Sequence, residues 1–300
     1  GATVAYTLVS QGIADELVLI DTNEKKVVAE KLDFEDAMPR LPYHVEIKTQ
    51  DYAELKDVDV IITAFGDIDA SVRTGNRFAE FEINTKNAVE VGKKIKESGF
   101  SGVIIDISNP CDAVTSILQE TTGLPRNQVL GTGTFLDTAR MQHVVGDALG
   151  QDGRNVEGFV LGEHGNSQFV AWSTVRVNNK PITEFFTEEE LQSEEYESYS
   201  ELDYLGRCGP AMAMIGIDMM PTQNAIATCG VKLAQAVLSN AHFFGPVSTY
   251  VEEVGTYVGY PAIVGAKGVE KVVPLVLTDE EKAKLEQSAN YIKEHLDSLK

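Results

Sequence analysis

Short β-branched runs alternate with longer amphipathic segments through the first part of the chain. The runs at 17–20, 45–47, 58–62 and 103–107 read as strands, while 24–37 and 77–97 repeat apolar residues at helical intervals. Strands separated by helices predict a parallel sheet covered on both faces, a doubly wound α/β domain. After about residue 133 the pattern changes. A helix over 136–149, a hairpin around Asn178-Asn179 and a long helix over 222–238 come first. Strand-like runs at 257–264 and 269–276 and a terminal helix from about 278 complete a second, α+β domain. The expected division is 1–132 and 133–300. Residues 1–8 read as a helix of the kind that follows a strand and a glycine-rich turn, so a first strand is expected upstream of this sequence.

Composition narrows the class. The chain has 300 residues, 43% hydrophobic and 24% charged, which is ordinary for a globular protein. Its formal net charge of −21 argues against nucleic acid or an anionic membrane as a partner, because both would repel it. Cys111, Cys208 and Cys229 form no C-x-x-C pair and are odd in number, which fits a reducing cytoplasm better than a disulfide framework, and no metal is expected. No apolar run of about 18 residues is present to span a membrane. The carboxylate-rich stretch 188–203 reads as a solvated helix face.

Two segments carry chemistry. Leu136-Asp137-Thr138-Ala139-Arg140 puts a carboxylate and a guanidinium three residues apart on one helix face, and Gly162-Glu163-His164-Gly165-Asn166 adds an imidazole. An imidazole exchanges a proton near neutral pH, a buried carboxylate orients it, and a guanidinium holds a substrate carboxylate by two parallel hydrogen bonds. Asp21 ends the run 17–20 and lies 20 residues after Gly1, the spacing of a ribose-binding acid from the third glycine of a dinucleotide fingerprint. Its carboxylate would accept bonds from ribose hydroxyls and repel a 2′-phosphate, so NAD is favoured over NADP. The first half is then a Rossmann domain.

These motifs, in this order, resemble the L-lactate and malate dehydrogenase superfamily, and residues 162–177 look most like its L-2-hydroxyisocaproate branch. The resemblance spans nearly the whole chain. It implies an NAD-dependent L-2-hydroxy acid dehydrogenase, assembled as a dimer or tetramer. It implies that His164 donates and accepts the proton, that Asp137 orients it, and that Arg140 binds the substrate carboxylate. Arg77, in Thr74-Gly75-Asn76-Arg77-Phe78, matches the loop arginine that polarises the reacting carbonyl. Asn109, in Ser108-Asn109-Pro110, matches an asparagine near the reacting oxygen and the nicotinamide, and Gly1 matches the third fingerprint glycine. Thr222 stands either as a substrate contact or as a helix N-cap.

The segment 65–76 is longer than its lactate and malate counterparts, which favours a larger substrate side chain; lactate ranks next and malate third. Malate needs a second cation, and Arg73 lies four residues before Arg77 where the family has it seven before. Gln142 and Glu157 stand where relatives activated by fructose 1,6-bisphosphate carry basic residues, so that activation is not expected. Two other classes compete: a non-catalytic NAD-binding module, and a hydrolase using the Asp/His pair. No G-x-S-x-G elbow supports the second.

Overall fold

The structure is a computed structural model and describes residues 1–66, 77–192 and 223–299; the side chains of 77–80 and 192 lie outside what it describes. Helix α1 (Ala2–Gln11) buries Val4, Ala5, Leu8 and Val9, one face at helical spacing. Gly12 ends it in the left-handed region at φ 60, and a Cβ there would run into the Tyr43 ring, so the turn requires glycine. Strand β1 (Glu16–Leu19) follows, then α2 (Glu24–Ala37), whose N-cap Asn23 accepts from the Lys26 N–H at 3.1 Å. Strand β2 (Glu46–Thr49) pairs with β1 in parallel, Leu17 opposite Ile47.

Strand β3 (Val60–Thr63), helix α3 (Arg77–Ser98), strand β4 (Val103–Asp106), helix α4 (Cys111–Thr122) and strand β5 (Val129–Gly131) repeat the strand–helix alternation. β3, β4 and β5 are parallel neighbours. β4 is buried along its whole length because both faces are covered. Ile104 packs with Ala88, Ile95, Val114 and Leu118, while Val103 and Ile105 pack on the opposite side.

The second half opens with α5 (Phe135–Ala148) and the short strands β6 (Val156–Glu157), β7 (Val160–Leu161), β8 (Phe169–Val170), β9 (Arg176–Val177) and β10 (Lys180–Pro181). The expected hairpin is β9–β10, turned by Asn178 and Asn179 at φ 50 and 67. Helix α6 (Gln223–Leu238) precedes β11 (Phe243–Val251), β12 (Thr256–Gly265), β13 (Gly268–Val272) and α7 (Asp279–Asp297). Thr278 and Glu281 form a capping box at the start of α7. On α6, Leu233, Ala234 and Val237 cover the face of the sheet opposite α4.

The sheet crosses the midpoint of the chain. β11 pairs antiparallel with β5, Ser248 opposite Gly131, giving one six-stranded sheet in the order β13-β12-β11-β5-β4-β3. The β1–β2 pair is a separate sheet, and one cavity of about 2140 Å³ runs between β1 and β3 and on to the carboxyl ends of β4 and β5. Among the described residues no helix is long and apolar enough to cross a membrane.

Candidate active site

Helix α5 starts where the chain turns sharply out of β5. Gly133 sits at φ 48 with the Ser248 amide 2.5 Å from where a Cβ would stand, so a side chain would displace β11. That turn puts Asp137 in the first turn of α5 with no exposed surface. Thr138 Oγ1 accepts from the Val160 N–H at 3.0 Å, tying α5 to β7 just before the loop that carries His164.

The His164 loop is held from four sides. Gly162 at φ 96 exchanges backbone bonds with Gly259 of β12, at 3.1 and 2.9 Å. The Glu163 N–H donates to Ser288 Oγ of α7 at 2.7 Å, and Ser167 Oγ donates to Glu163 Oε2 at 2.6 Å. The His164 N–H donates to Asp112 Oδ2 of α4 at 2.8 Å. The fourth tie is the side chain itself: His164 Nδ1 lies 2.5 Å from Asp137 Oδ2, while Arg140 Nη1 donates to Asp137 Oδ1 at 2.7 Å. Both Asp137 oxygens are therefore engaged.

Electrostatics follow the geometry. Burial pushes the Asp137 carboxyl up, but His164 and Arg140 together outweigh it and hold the group below the usual carboxylate range. Burial likewise opposes a charged His164, and the opposed pull of Asp137, with a smaller contribution from Asp112, raises the imidazole above its ordinary value despite Arg140. With Nδ1 on Asp137, proton exchange with a substrate falls to Nε2. The ring is one-fifth exposed and lines the cavity with Arg140 and Asn109.

Neighbouring groups are biased the other way. Burial pushes Asp112 up to about 6 and Asp106 to about 7, each against its own hydrogen bonds. The Cys111 thiol is raised well above its usual range and Cys229 to about 12, both by burial, so both are neutral and poor nucleophiles at pH 7. The Asp/His pair thus has no activated thiol beside it among the described residues, which removes the support a cysteine hydrolase would need.

At the other end of the cavity, Asp21 follows β1. Its backbone is clamped to the Gln50 side chain, by Asp21 N–H to Oε1 at 3.0 Å and Nε2 to the Asp21 carbonyl at 2.6 Å. Asp21 Oδ1 accepts from the Asn23 N–H at 2.8 Å, and the residue is exposed and lines the cavity together with Gly1. A Cβ on Gly1 would meet nothing within 4 Å, so no helix–strand contact among the described residues requires glycine there. Asn109, at the end of β4, enters a cis bond to Pro110, and its carbonyl accepts from Asn84 Nδ2 at 2.5 Å. Arg77 opens α3, but its side chain, the segment 67–76 with Arg73, and Thr222 lie outside the described residues. Gln142 donates to the Val156 carbonyl at 2.8 Å, which ties α5 to β6, the strand that carries Glu157.

The fold therefore gathers His164, Asp137, Arg140 and Asn109 at one end of a cavity whose other end holds Asp21 and Gly1. It adds Asp112, Ser288 and Asn84, which the motif reading passes over. Asp112 had one visible signal, a carboxylate three residues after Asn109 in the first turn of a helix whose other buried residues are apolar or hydroxyl-bearing; Ser288 had none, being a serine in a charged terminal helix.

Comparison with known proteins identifies the family. The chain matches the family profiles for the lactate/malate dehydrogenase NAD binding domain over 1–131 and for the lactate/malate dehydrogenase alpha/beta C-terminal domain over 134–300. It is 36% identical to L-lactate dehydrogenase 1 of Bifidobacterium longum, over 100% of this chain and 94% of that protein. The minor L-lactate dehydrogenase of Enterococcus mundtii, solved with ligands bound, superposes with a TM-score of 0.87 at 32% identity, over 100% of this chain and 95% of that one. The Cryptosporidium parvum lactate dehydrogenase, solved with lactic acid and nicotinamide adenine dinucleotide, gives a TM-score of 0.87 at 26% identity, covering 99% and 94%. The chain belongs to the lactate/malate dehydrogenase family, an oxidoreductase with an NAD-binding first half and an alpha/beta second half.

Proposed function

We propose that the chain is a reversible NAD-dependent L-2-hydroxy acid dehydrogenase acting on 2-oxo monocarboxylic acids, with preference for side chains larger than the lactate methyl. The observation that carries the reaction is the buried Asp137 with His164 on one oxygen and Arg140 on the other. NAD suits the cavity: a carboxylate, Asp21, stands at the end suited to a ribose, and the imidazole stands at the other. When bound, the nicotinamide supplies the hydride in reduction and takes it in oxidation.

The chain's own residues supply the rest. A guanidinium has five N–H donors, and Arg140 commits one to Asp137, so a fork for the substrate carboxylate is available in its planar geometry. That bond fixes which end of a 2-oxo acid points to α5. In reduction His164 gives the Nε2 proton to the carbonyl oxygen, and Asp137 stabilises the imidazolium until then. In oxidation neutral His164 takes the hydroxyl proton. Arg77 is assigned to polarising the carbonyl, Asn109 to the reacting oxygen and nicotinamide, Thr222 to substrate contact, and Gly1 and Asp21 to the cofactor. A cytoplasmic location and a dimer or tetramer belong to the same proposal.

The substrate preference rests on the long segment 65–76. It is tested by steady-state kcat/KM with NADH for pyruvate, 4-methyl-2-oxopentanoate and oxaloacetate. Equal or higher values for the branched acid than for pyruvate are expected. A steep fall from pyruvate to every larger acid makes the chain a lactate dehydrogenase, and no turnover of any of them makes it a non-catalytic NAD-binding protein.

A further inference from the structure

We propose that Asp112 is a positioning residue for proton transfer, fixing the His164 backbone through its N–H and stabilising the charged imidazole through its own negative charge. This rests on the reading of His164 as the acid/base.

The geometry has three parts. Asp112 is 1% exposed, and both of its oxygens are used: Oδ2 accepts from the His164 N–H at 2.8 Å and Oδ1 from Ser248 Oγ at 2.6 Å. The acceptor comes from α4, at the end of the NAD-binding half, and both donors come from the other half of the chain. Asp112 is therefore a joint between the two halves, and its inner side bears on the residue after Glu163. Ser248 is itself fully buried and lies opposite Gly131 on β5, which fixes where its hydroxyl is presented to Asp112.

A carboxylate at this place is not the cheapest structural choice. Burial is costly for a carboxylate, and the hydrogen bonds that offset it here come from two neutral donors. The titratable groups around the pair are Asp137 and Arg140 from α5, Glu163 from the loop, Asp106 from β4 and Cys111 from α4. Glu163 and Asp106 repel a charge on Asp112; His164 attracts it. Among the described residues the favourable charge interaction of Asp112 is with a protonated His164, and the benefit is mutual. Although burial raises Asp112 to about 6, it is mostly ionised at pH 7 and so carries that charge when reduction takes place.

Position and charge separate experimentally. In Asp112→Asn the amide oxygen can accept from the His164 N–H while Nδ2 donates to Ser248 Oγ, so both contacts survive, the second with its direction reversed, and the charge is lost. Asp112→Ala loses both bonds. The titration of His164 is followed by NMR of its ring protons in the parent and in Asp112→Asn, and kcat for reduction is followed against pH in all three proteins. The imidazole is expected to titrate at least about half a unit lower in Asp112→Asn, with the alkaline limb of kcat moving by the same amount and kcat at its plateau within about threefold of the parent. Asp112→Ala is expected to lose about tenfold or more in kcat with NADH affinity within about twofold.

An unshifted His164 titration in a folded Asp112→Asn overturns the charge half, and parental kcat in Asp112→Ala overturns the positional half. If Asp112→Ala does not fold, Ser248→Ala takes its place. Freed of one donor, Asp112 is expected to let kcat fall about threefold, and an unchanged kcat then counts against the positional half. Because the ring titration needs no turnover, it reports on Asp112 even if His164→Ala keeps full activity and the reading of His164 itself fails.

Discussion

Two aspartate–arginine pairs in this molecule have the same 2.7 Å separation and opposite value. Asp137–Arg140 joins a fully buried carboxylate to a guanidinium that is 19% exposed, and His164 completes the set. Asp152–Arg154 is a better fork on paper, with two side-chain bonds at 2.9 and 2.7 Å, yet both partners stand in solvent, the arginine 90% exposed. Water screens the second pair and already solvates both ions, so it contributes little. In the first, Asp137 is wholly cut off from water and its two partners are largely so, and removing either partner leaves a buried charge less well answered. Distance alone does not identify a working ion pair; the surroundings do.

The largest effect should come from taking away His164, the member proposed to move the proton. His164→Ala is expected to lower kcat for reduction by about 10²–10⁴-fold while NADH binding, followed by fluorescence titration, changes little. Near-parental turnover would remove His164 from the chemistry. Asp137→Asn comes next. It leaves Arg140 and His164 without their shared carboxylate, so a loss of about 3–5 kcal/mol in urea unfolding is expected alongside a fall in kcat, and parental stability would place Asp137 in the same class as Asp152.

Arg140→Lys keeps the charge but loses the planar fork. The KM for the 2-oxo acid is expected to rise about tenfold or more, with a smaller change in kcat, measured at saturating NADH. A smaller effect concerns pH. His164 is raised above its ordinary value in the folded protein, so its contribution to stability is complete below the ordinary imidazole value and is lost as pH rises through the raised one; Asp137 is depressed, so its contribution is present above the ordinary carboxylate value and is lost as pH falls through the lowered one. Reduction should therefore persist to higher pH than a free imidazole allows, then fall on the alkaline side. A kcat profile for reduction that falls at the ordinary imidazole value would contradict this. At the bottom of the scale, Asp152→Asn is expected to leave the denaturation midpoint and kcat unchanged, and a clear loss of either would break the contrast between the pairs.

The same contrast explains what could be read in advance. The helices over 24–37 and 223–238 follow from local spacing, and the first also from its Asn23 cap, signals that act within a few residues. Strand β11 does not. It is not among the expected strands, and Pro246 faces Pro261 across the β11–β12 ladder, in the middle of a buried sheet where proline is normally excluded. Pairing with β12 and β5 overrides the local signal. At the site, Asp137 and Arg140 were legible because i and i+3 share a helix face, and His164 because its glycine-flanked motif sits in family order.

What the sequence determined by itself is the set of chemical groups: an imidazole, a carboxylate and a guanidinium in order, an acid at ribose spacing, and elements whose periodicity is local. Only the tertiary structure decided which of those groups come together and which of them are cut off from water. Asp137 and Asp152 are the same residue, each with an arginine a few positions on, and nothing in the chain says that one loses its water and the other keeps it. Asp112 reaches His164 across 52 residues and Ser248 across 136, and the contact exists because β5, β11 and the turn into α5 bring three distant segments to one point. Hydration and long-range contact depend on what packs against a residue, which no window of sequence contains.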